Sequence, residues 1–208
     1  MAPLVAVLDY GIGNLHSAQK ALERVGADAH LTADHGLIRE AAGVVLPGVG
    51  NFGRCIEALE RTALDELAIE CAASGRPFLG VCIGMQMLYE SSEESPEVPG
   101  LGVLPGVVRR LPEGVKRPQM QWNLLVRTKP SGLLAGVPDP AWTYFVHSFA
   151  ADNDEAAVAV CDYGGPVVAA VERDALWATQ FHPEKSGKTG MAILANFVNR
   201  AAETARAA

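Results

Sequence analysis

The chain has 208 residues, of which 49% are apolar and 20% are charged. That balance excludes a disordered chain, and the length favours a single domain over residues 1–208. The net charge is −7 and no apolar run approaches about 20 residues, which argues against a nucleic-acid-binding protein, a membrane-surface protein and a membrane-spanning protein.

The first half of the chain alternates short apolar runs with longer amphipathic ones. Glycine- or proline-containing turns close most of these runs. The predicted strands are 5–10, 43–46 and 77–81, and the predicted helices are 15–25, 55–73 and 84–89. Near-continuous apolar strands separated by helices predict an α/β fold, in which helices cover both faces of a largely parallel sheet.

The second half has a different pattern. Residues 91–100 are polar and predict a loop, and residues 187–204 predict a closing helix. Between them the predicted strands are short and separated by turns: 103–109, 123–126, 143–149, 156–161, 167–171 and 176–180. Short strands of this kind predict an antiparallel extension of the central sheet.

A G-x-C-x-G sequence, Gly80 to Gly84, directly follows an apolar strand and precedes a helix. This is the context of a nucleophile elbow, a sharp strand-to-helix turn that lifts the central side chain out of the core. Glycine on both sides lets neighbouring backbone pass closely. The free N–H groups at the start of the helix, notably that of Ile83, are placed to bind a developing oxyanion beside Cys82.

The alternative interpretation of Cys82 is a small core residue, which is what most free cysteines are. We assign that role to Cys55, Cys71 and Cys161, which lie in helical or strand patterns. Because the chain has no C-x-x-C pair, we expect neither a zinc ribbon nor a redox dithiol, and no other residue cluster predicts a metal site. A chain of this length needs no disulfides, and we expect it in the reducing cytoplasm.

A thiol nucleophile needs a base, and His182 is the distinctive candidate. It follows the predicted strand 176–180 in the triplet His182-Pro183-Glu184. Pro183 favours extended geometry at His182, and in an extended segment side chains two apart point the same way. Glu184 can therefore accept the Nδ1–H of His182 and leave Nε2 facing Cys82. The alternative for the triplet alone is a plain turn. We expect His16, His30 and His35 to lie at the surface. His147 is a candidate for the wall of the site.

These residues lie within a larger set of motifs, and with it the chain resembles the class I (triad) glutamine amidotransferases. Within that family it is most similar to the glutaminase subunits of imidazole glycerol phosphate synthase. The motifs extend from residue 8 to residue 187, so the resemblance covers nearly the whole chain. They are LDYGIGNL at 8–15, LPGVGNFG at 46–53, GVCIGMQ at 80–86, YFVHS at 144–148 and QFHPEKSG at 180–187.

The resemblance implies a flavodoxin-like α/β fold and assigns roles to individual positions, without a cofactor. The implied triad is Cys82, His182 and Glu184. The residues implied to form the oxyanion hole and to bind substrate are Gly48, Val49, Gly50, Ile83, Gln86, His147 and Ser148. The resemblance also implies a surface for a partner protein, formed by Trp122, Asn123, Tyr144 and Lys185.

The implied reaction is hydrolysis of L-glutamine to glutamate and ammonia through a glutamyl thioester. By the same resemblance, ammonia passes through a channel to a (β/α)₈-barrel cyclase subunit in a heterodimer. There it is used to make imidazole glycerol phosphate and an aminoimidazole carboxamide ribotide in histidine biosynthesis. One alternative keeps the enzyme class but feeds anthranilate, pyridoxal phosphate or purine synthesis. Another is a binding protein with a dead site, since a fold does not fix a function.

The chain departs from the family pattern at one motif. Gln119 and Gln121 stand where the family often has His and Gly in H-M-G-W-N, while Trp122 and Asn123 are kept. Asn51 and Arg54 also replace smaller residues beside the implied oxyanion loop. The glycine runs near Gly11 and Gly48 lack the context of a phosphate-binding loop.

Overall fold

A computed structural model describes residues 2–13, 15–152 and 155–207. The helices are α1 (Leu15–Arg24), α2 (His35–Glu40), α3 (Phe52–Arg61), α4 (Leu64–Ala73), α5 (Ile83–Met87) and α6 (Gly187–Ala207). The strands are β1 (Leu4–Leu8), β2 (Asp28–Thr32), β3 (Gly43–Gly48), β4 (Phe78–Cys82), β5 (Ser91–Ser92), β6 (Val107–Arg110), β7 (Gln119–Leu124), β8 (Val126–Arg127), β9 (Trp142–His147), β10 (Phe149–Ala151), β11 (Ala157–Asp162), β12 (Pro166–Arg173) and β13 (Leu176–Thr179).

Over the described ranges, eight strands form the central sheet in the order β2-β1-β3-β4-β13-β12-β11-β8. The first five run parallel to one another, and β12, β11 and β8 continue the sheet in antiparallel pairing. Helices α1 and α6 pack together, and α2 to α5 form a second group. The α/β class and the antiparallel extension predicted from the sequence are confirmed.

The innermost strands are apolar because both of their faces are covered. Every residue of β3, β4 and β13 is buried. Strand β2, at the edge of the sheet, alternates exposed and buried residues in its first half. Its Asp-Ala-His-Leu-Thr sequence lacks the continuous apolar run of a central strand, which is why β2 and the short α2 after it escaped prediction.

Two predicted elements need correction. The helix predicted at 55–73 is two helices, α3 and α4, separated at Thr62 and Ala63. Thr62 Oγ1 bonds back to the carbonyls of Ala58 (3.0 Å) and Leu59 (2.9 Å), and Ala63 adopts a left-handed backbone with φ +53°. Not all of the later strands join the central sheet either. Strands β7 and β9 pair as a separate two-stranded ribbon, and β5, β6 and β10 form a third sheet.

The carboxyl ends of three neighbouring strands meet at one edge of the sheet. Gly48 at the end of β3 lies opposite Cys82 at the end of β4, and Val81 lies opposite Thr179 at the end of β13. In open α/β sheets, ligands bind in the crevice outside these strand ends. Residues 47–50, Cys82 and 180–184 are thereby brought together.

Candidate active site

Cys82 occupies a strained turn between β4 and α5. Its backbone has φ +56° and ψ −111°, which a residue with a side chain rarely adopts, and strain of this kind persists where the surrounding structure enforces it. The two flanking glycines are required by close packing. A Cβ on Gly84 would lie 1.8 Å from the Leu46 carbonyl oxygen, and one on Gly80 would lie 3.0 Å from the Gly84 carbonyl oxygen. The predicted elbow is confirmed as a geometry.

His182 and Glu184 lie side by side next to this turn. The Nδ1 of His182 is 2.8 Å from Oε1 of Glu184, and their side chains are 2% and 7% exposed. The His182 N–H donates to the Tyr144 carbonyl, and the Ser186 hydroxyl donates to the His182 carbonyl at 2.6 Å, so the backbone of the segment is fixed as well. A carboxylate that accepts from Nδ1–H leaves Nε2 as the reactive nitrogen.

Nε2 of His182 is buried and has no hydrogen-bond partner of standard geometry among the described residues. Burial alone lowers the pKa of this ring, but interactions with Cys82 and Glu184 outweigh it and raise the pKa from 6.5 to about 9. A ring with this pKa carries a proton at neutral pH and can donate it to a leaving group.

Cys82 and His182 line one cleft of about 270 Å³. Val49, Gly50 and Ile83 border it beside the thiol, where N–H groups of the loop and of the helix start can meet an oxyanion. Gly48 is not among the residues that line the cleft. Its Cα packs against the start of α5, where a Cβ would lie 2.8 Å from the Gly84 nitrogen. The remaining lining residues are Gln86, Glu94, Pro118, Val146, His147, Ser148 and Phe149.

Gln86 lines the cleft, and one of its side-chain atoms has no hydrogen-bond partner among the described residues. Its Nε2 donates to the Phe149 carbonyl (2.9 Å) and to Oε1 of Gln180 (3.0 Å), and the side chain is 1% exposed. Its Oε1 is buried without a partner among the described residues. Because a buried acceptor without a partner is costly, this oxygen is poised to accept from an N–H of a ligand.

His147 is neutral in this site. Burial lowers its pKa to about 4, an effect that the nearby His182 reinforces. Its Nδ1 lies 2.8 Å from the Phe149 carbonyl, and this contact requires Nδ1–H as the donor. Nε2 is then an acceptor, and it too is buried without a partner among the described residues. His147 lines the cleft as the sequence predicts, and it brings an acceptor there rather than a positive charge.

Two polar side chains of the site were missed from the sequence. Gln180 is fully buried, and its Nε2 lies 3.9 Å from the Cys82 sulfur. It belongs to the same motif as His182, which could have marked it. Glu94 lies in the loop predicted at 91–100 and brings a carboxylate to the cleft, where its Oε2 accepts from the Phe52 N–H at 2.7 Å. No local pattern marks Glu94, because its contacts are 42 residues away.

The residues predicted to contact a partner divide into two kinds. Trp122 is 48% exposed and packs edge-to-face against Tyr144, with ring centroids 6.0 Å apart, and Lys185 is exposed nearby. Asn123 instead uses its side chain within the chain, where Nδ2 donates to the Asp162 carbonyl. Gln119 is fully buried opposite His147, whereas Gln121 is exposed.

Asn14 of the first motif lies outside the described residues. Within the described ranges, no His, Cys, Asp and Glu side chains cluster as a metal site would, and no helix is long and apolar enough to cross a membrane. The four cysteines are free and buried.

Residues 6–201 match the family "Glutamine amidotransferase class-I". The chain is 46% identical over 196 residues to the imidazole glycerol phosphate synthase subunit HisH of Desulfitobacterium hafniense, covering 93% of each chain. It is also 46% identical to the subunit of that name from Methanothermobacter thermautotrophicus, with 94% of this chain and 98% of that one covered. The corresponding Deinococcus radiodurans protein is 45% identical over 200 residues, 94% of this chain and 93% of that one.

Solved structures show the same fold at low sequence identity. The crystal structure of a glutamine amidotransferase superposes with a TM-score of 0.75 at 20% identity, over 95% of this chain and 98% of that one. PurLQS from Thermotoga maritima gives a TM-score of 0.74 at 19% identity, over 96% and 99%. With the family match and the relatives above, the chain belongs to the class I glutamine amidotransferases and, among these enzymes, to the HisH subunits of imidazole glycerol phosphate synthase.

Proposed function

We propose that this chain hydrolyses L-glutamine through the triad Cys82, His182 and Glu184 and delivers the ammonia to a cyclase subunit. The observation that carries the proposal is the strained thiol beside an imidazole whose Nδ1 is held by a buried carboxylate. This is the nucleophile, base and orienting group of a covalent acyl-transfer site.

In the first step, the Cys82 sulfur attacks the side-chain carbonyl carbon of glutamine as a thiolate paired with the protonated His182. The oxyanion binds the N–H groups of Ile83 and of the loop at Val49 and Gly50, which are worth about a hundredfold or more in rate per donor. The C–N bond then breaks, His182 gives its proton to the departing amide nitrogen, which leaves as ammonia, and a glutamyl thioester remains on Cys82.

In the second step, water attacks the thioester carbonyl and His182 takes a proton from that water. The C–S bond breaks, glutamate leaves, and Cys82 returns to a thiolate paired with the protonated His182. Glu184 keeps Nε2 facing the reacting atoms throughout, because its oxygen accepts from Nδ1. Two small barriers replace one large barrier.

Polar side chains of the cleft fit the α-amino acid end of glutamine, away from the reacting amide. Among the described residues, Oε1 of Gln86 has no hydrogen-bond partner, and Glu94 brings a carboxylate to the cleft wall. A carboxylate there attracts the α-ammonium group by charge. We assign Glu94 to the α-ammonium group of the substrate, and Gln86, His147 and Ser148 to orienting it.

The cyclase partner is proposed to be a (β/α)₈ barrel in a heterodimer, acting as a lyase on a phosphoribosyl substrate in histidine biosynthesis. The relatives named as imidazole glycerol phosphate synthase subunits support this assignment. A closed channel keeps ammonia from taking up a proton, which would remove its nucleophilic lone pair. The four buried free thiols agree with the reducing cytoplasm as the compartment.

The proposed docking surface is the ribbon face around Trp122. Met120 and Trp122 are 61% and 48% exposed on the same face of β7, with Tyr144 on the neighbouring strand. Lys185 lies beside the triad and is exposed. A large aromatic ring with a cationic rim residue is a common anchor at protein interfaces. Trp122→Ala should weaken binding of the cyclase in calorimetry by at least tenfold without changing Cys82 alkylation.

The central test measures glutamate formation by the full chain with and without the cyclase subunit. Cys82→Ala should abolish turnover, whereas Cys71→Ala, a buried cysteine of α4, should retain it. Turnover by Cys82→Ala at the wild-type rate would exclude the mechanism. Glutamine-dependent product formation with a cyclase of another pathway, and none with this one, would exclude the assignment to histidine biosynthesis.

A further inference from the structure

Two buried side chains hold the oxyanion loop, residues 47–50, from behind. The Tyr10 hydroxyl donates to the Pro47 carbonyl at 2.6 Å. The Cys55 thiol donates to the Val49 carbonyl at 3.5 Å. Tyr10 is 3% exposed and Cys55 is fully buried, and neither lines the cleft that contains Cys82. The triad chemistry uses neither of them.

The two donors come from separate elements and meet at this loop. Tyr10 follows β1, and Cys55 lies in the first turns of α3. Burial raises the pKa of Tyr10, and the neighbouring Cys55 adds to this effect. Burial likewise raises the pKa of Cys55 to about 11. Both groups therefore keep their protons at neutral pH and remain donors.

The positions of the two accepting carbonyls determine which peptide groups of the loop are fixed. Because a peptide group is planar, fixing the Pro47 and Val49 carbonyls fixes the peptide planes on either side of the Gly48–Val49 peptide. Gly48 itself is confined, since a Cβ there would lie 2.9 Å from the Tyr10 oxygen and 2.9 Å from Ile83 Cβ. The Val49 N–H thus lies on a segment anchored at both ends, beside the helix start that carries the Ile83 N–H.

We propose that Tyr10 and Cys55 are positioning residues of the glutaminase reaction, whose hydrogen bonds to Pro47 and Val49 hold the loop so that the Val49 N–H faces the oxyanion formed at Cys82. This inference rests on the proposed function. It assigns a task to a cysteine that sequence patterning marks only as core. The two residues act through the loop and touch no reacting atom.

The experiment compares Tyr10→Phe, Cys55→Ala, Cys55→Ser and the Tyr10→Phe/Cys55→Ala pair in the full chain bound to the cyclase subunit. Cys71→Ala serves as the control for removing a buried helix thiol. Each variant is assayed for kcat, for KM with glutamine and for melting temperature. The alkylation of Cys82 by iodoacetamide is followed by peptide mass spectrometry, because this displacement forms no oxyanion.

Tyr10→Phe and Cys55→Ala should each lower kcat roughly tenfold, and the pair should approach the hundredfold or greater loss that follows removal of an oxyanion donor. KM and the Cys82 alkylation rate should stay within about twofold of the wild type. Cys55→Ser keeps a donor and should restore most of kcat. If Cys55→Ala does not fold, Tyr10→Phe and Cys55→Ser still decide the matter.

Three results would overturn the inference: an unchanged kcat in both single variants, a Cys55→Ser variant as slow as Cys55→Ala, or an alkylation rate that falls together with kcat. All three are read relative to an active wild type. A wild-type complex that forms no glutamate would instead count against the proposed function, so the two failures are distinguishable.

Discussion

Replacing Gly84 by alanine tests whether the elbow needs its second glycine. The added methyl carbon would lie 1.8 Å from the Leu46 carbonyl oxygen and 2.8 Å from the Leu46 carbonyl carbon. Both are backbone atoms of a central strand, so no side-chain rotation relieves the clash. To reach an ordinary contact of 3.4 Å, α5 must move from β3 by about 1.6 Å.

The cost follows from that displacement. Overfilling a packed interior costs about 1–3 kcal/mol and sometimes more, and a clash with rigid backbone belongs at the upper end. For a chain of this length, about 3 kcal/mol lowers Tm by about 6–12 °C. The displacement also separates Cys82 and Ile83 from the oxyanion loop. Since a misplacement of about 1 Å can cost a hundredfold in rate, turnover should fall by at least that factor.

The assay pairs thermal unfolding with glutamate formation, and Gly36→Ala is the matched control. Gly36 lies on the exposed face of α2, and a Cβ there meets only the side-chain oxygen of Asp34, at 3.1 Å. That variant should keep its activity and a Tm close to the wild type. A Gly84→Ala protein with the wild-type Tm and turnover would refute the argument that close backbone approach dictates the motif.

Three further predictions concern charge. Glu94→Gln should raise the KM for glutamine at least tenfold and keep kcat within threefold of the wild type. The amide of Gln still accepts from the Phe52 N–H but no longer attracts an ammonium group. Equal KM values for the variant and the wild type would refute the assignment of Glu94. The folded-state pKa of His147 is about 4, below the unfolded value of 6.5. The free energy of unfolding should therefore fall by about 3 kcal/mol as pH drops from 6.5 to 4. In urea unfolding, His147→Gln should show a smaller fall over the same pH range. The folded-state pKa of His182, about 9, lies above the unfolded 6.5, so its stabilising contribution is complete below pH 6.5 and is lost as pH rises through 9. Glu184→Gln lowers that pKa and should therefore reduce the loss of Tm between pH 6.5 and 9. An identical loss of Tm in both proteins would count against the His182–Glu184 interaction.

The elbow and the His182–Glu184 pair were accessible from the sequence because both are local. A glycine two residues before and two after Cys82, and a carboxylate two residues after His182, need only short-range geometry. The parallel strands were also accessible, since strands buried on both faces show as continuous apolar runs.

The remaining features depend on contacts that no local sequence pattern marks. Glu94 reaches the cleft only because its loop packs on the start of α3, and the helix break at Ala63 has neither glycine nor proline to announce it. Likewise, the contacts of Tyr10 and Cys55 with the oxyanion loop span 37 and 6 residues. Hydrogen bonds from side chains to backbone carbonyls produce no periodic pattern in a sequence.

The most direct test of the central claim is to trap the covalent intermediate. The full chain, bound to the cyclase subunit, is mixed with glutamine, quenched in acid within the first turnover and digested for mass spectrometry. One glutamyl group on the peptide containing Cys82, absent from Cys82→Ala, is the predicted result. Rapid glutamate release with Cys82 unmodified at every time point, or an adduct on another residue, would contradict the account.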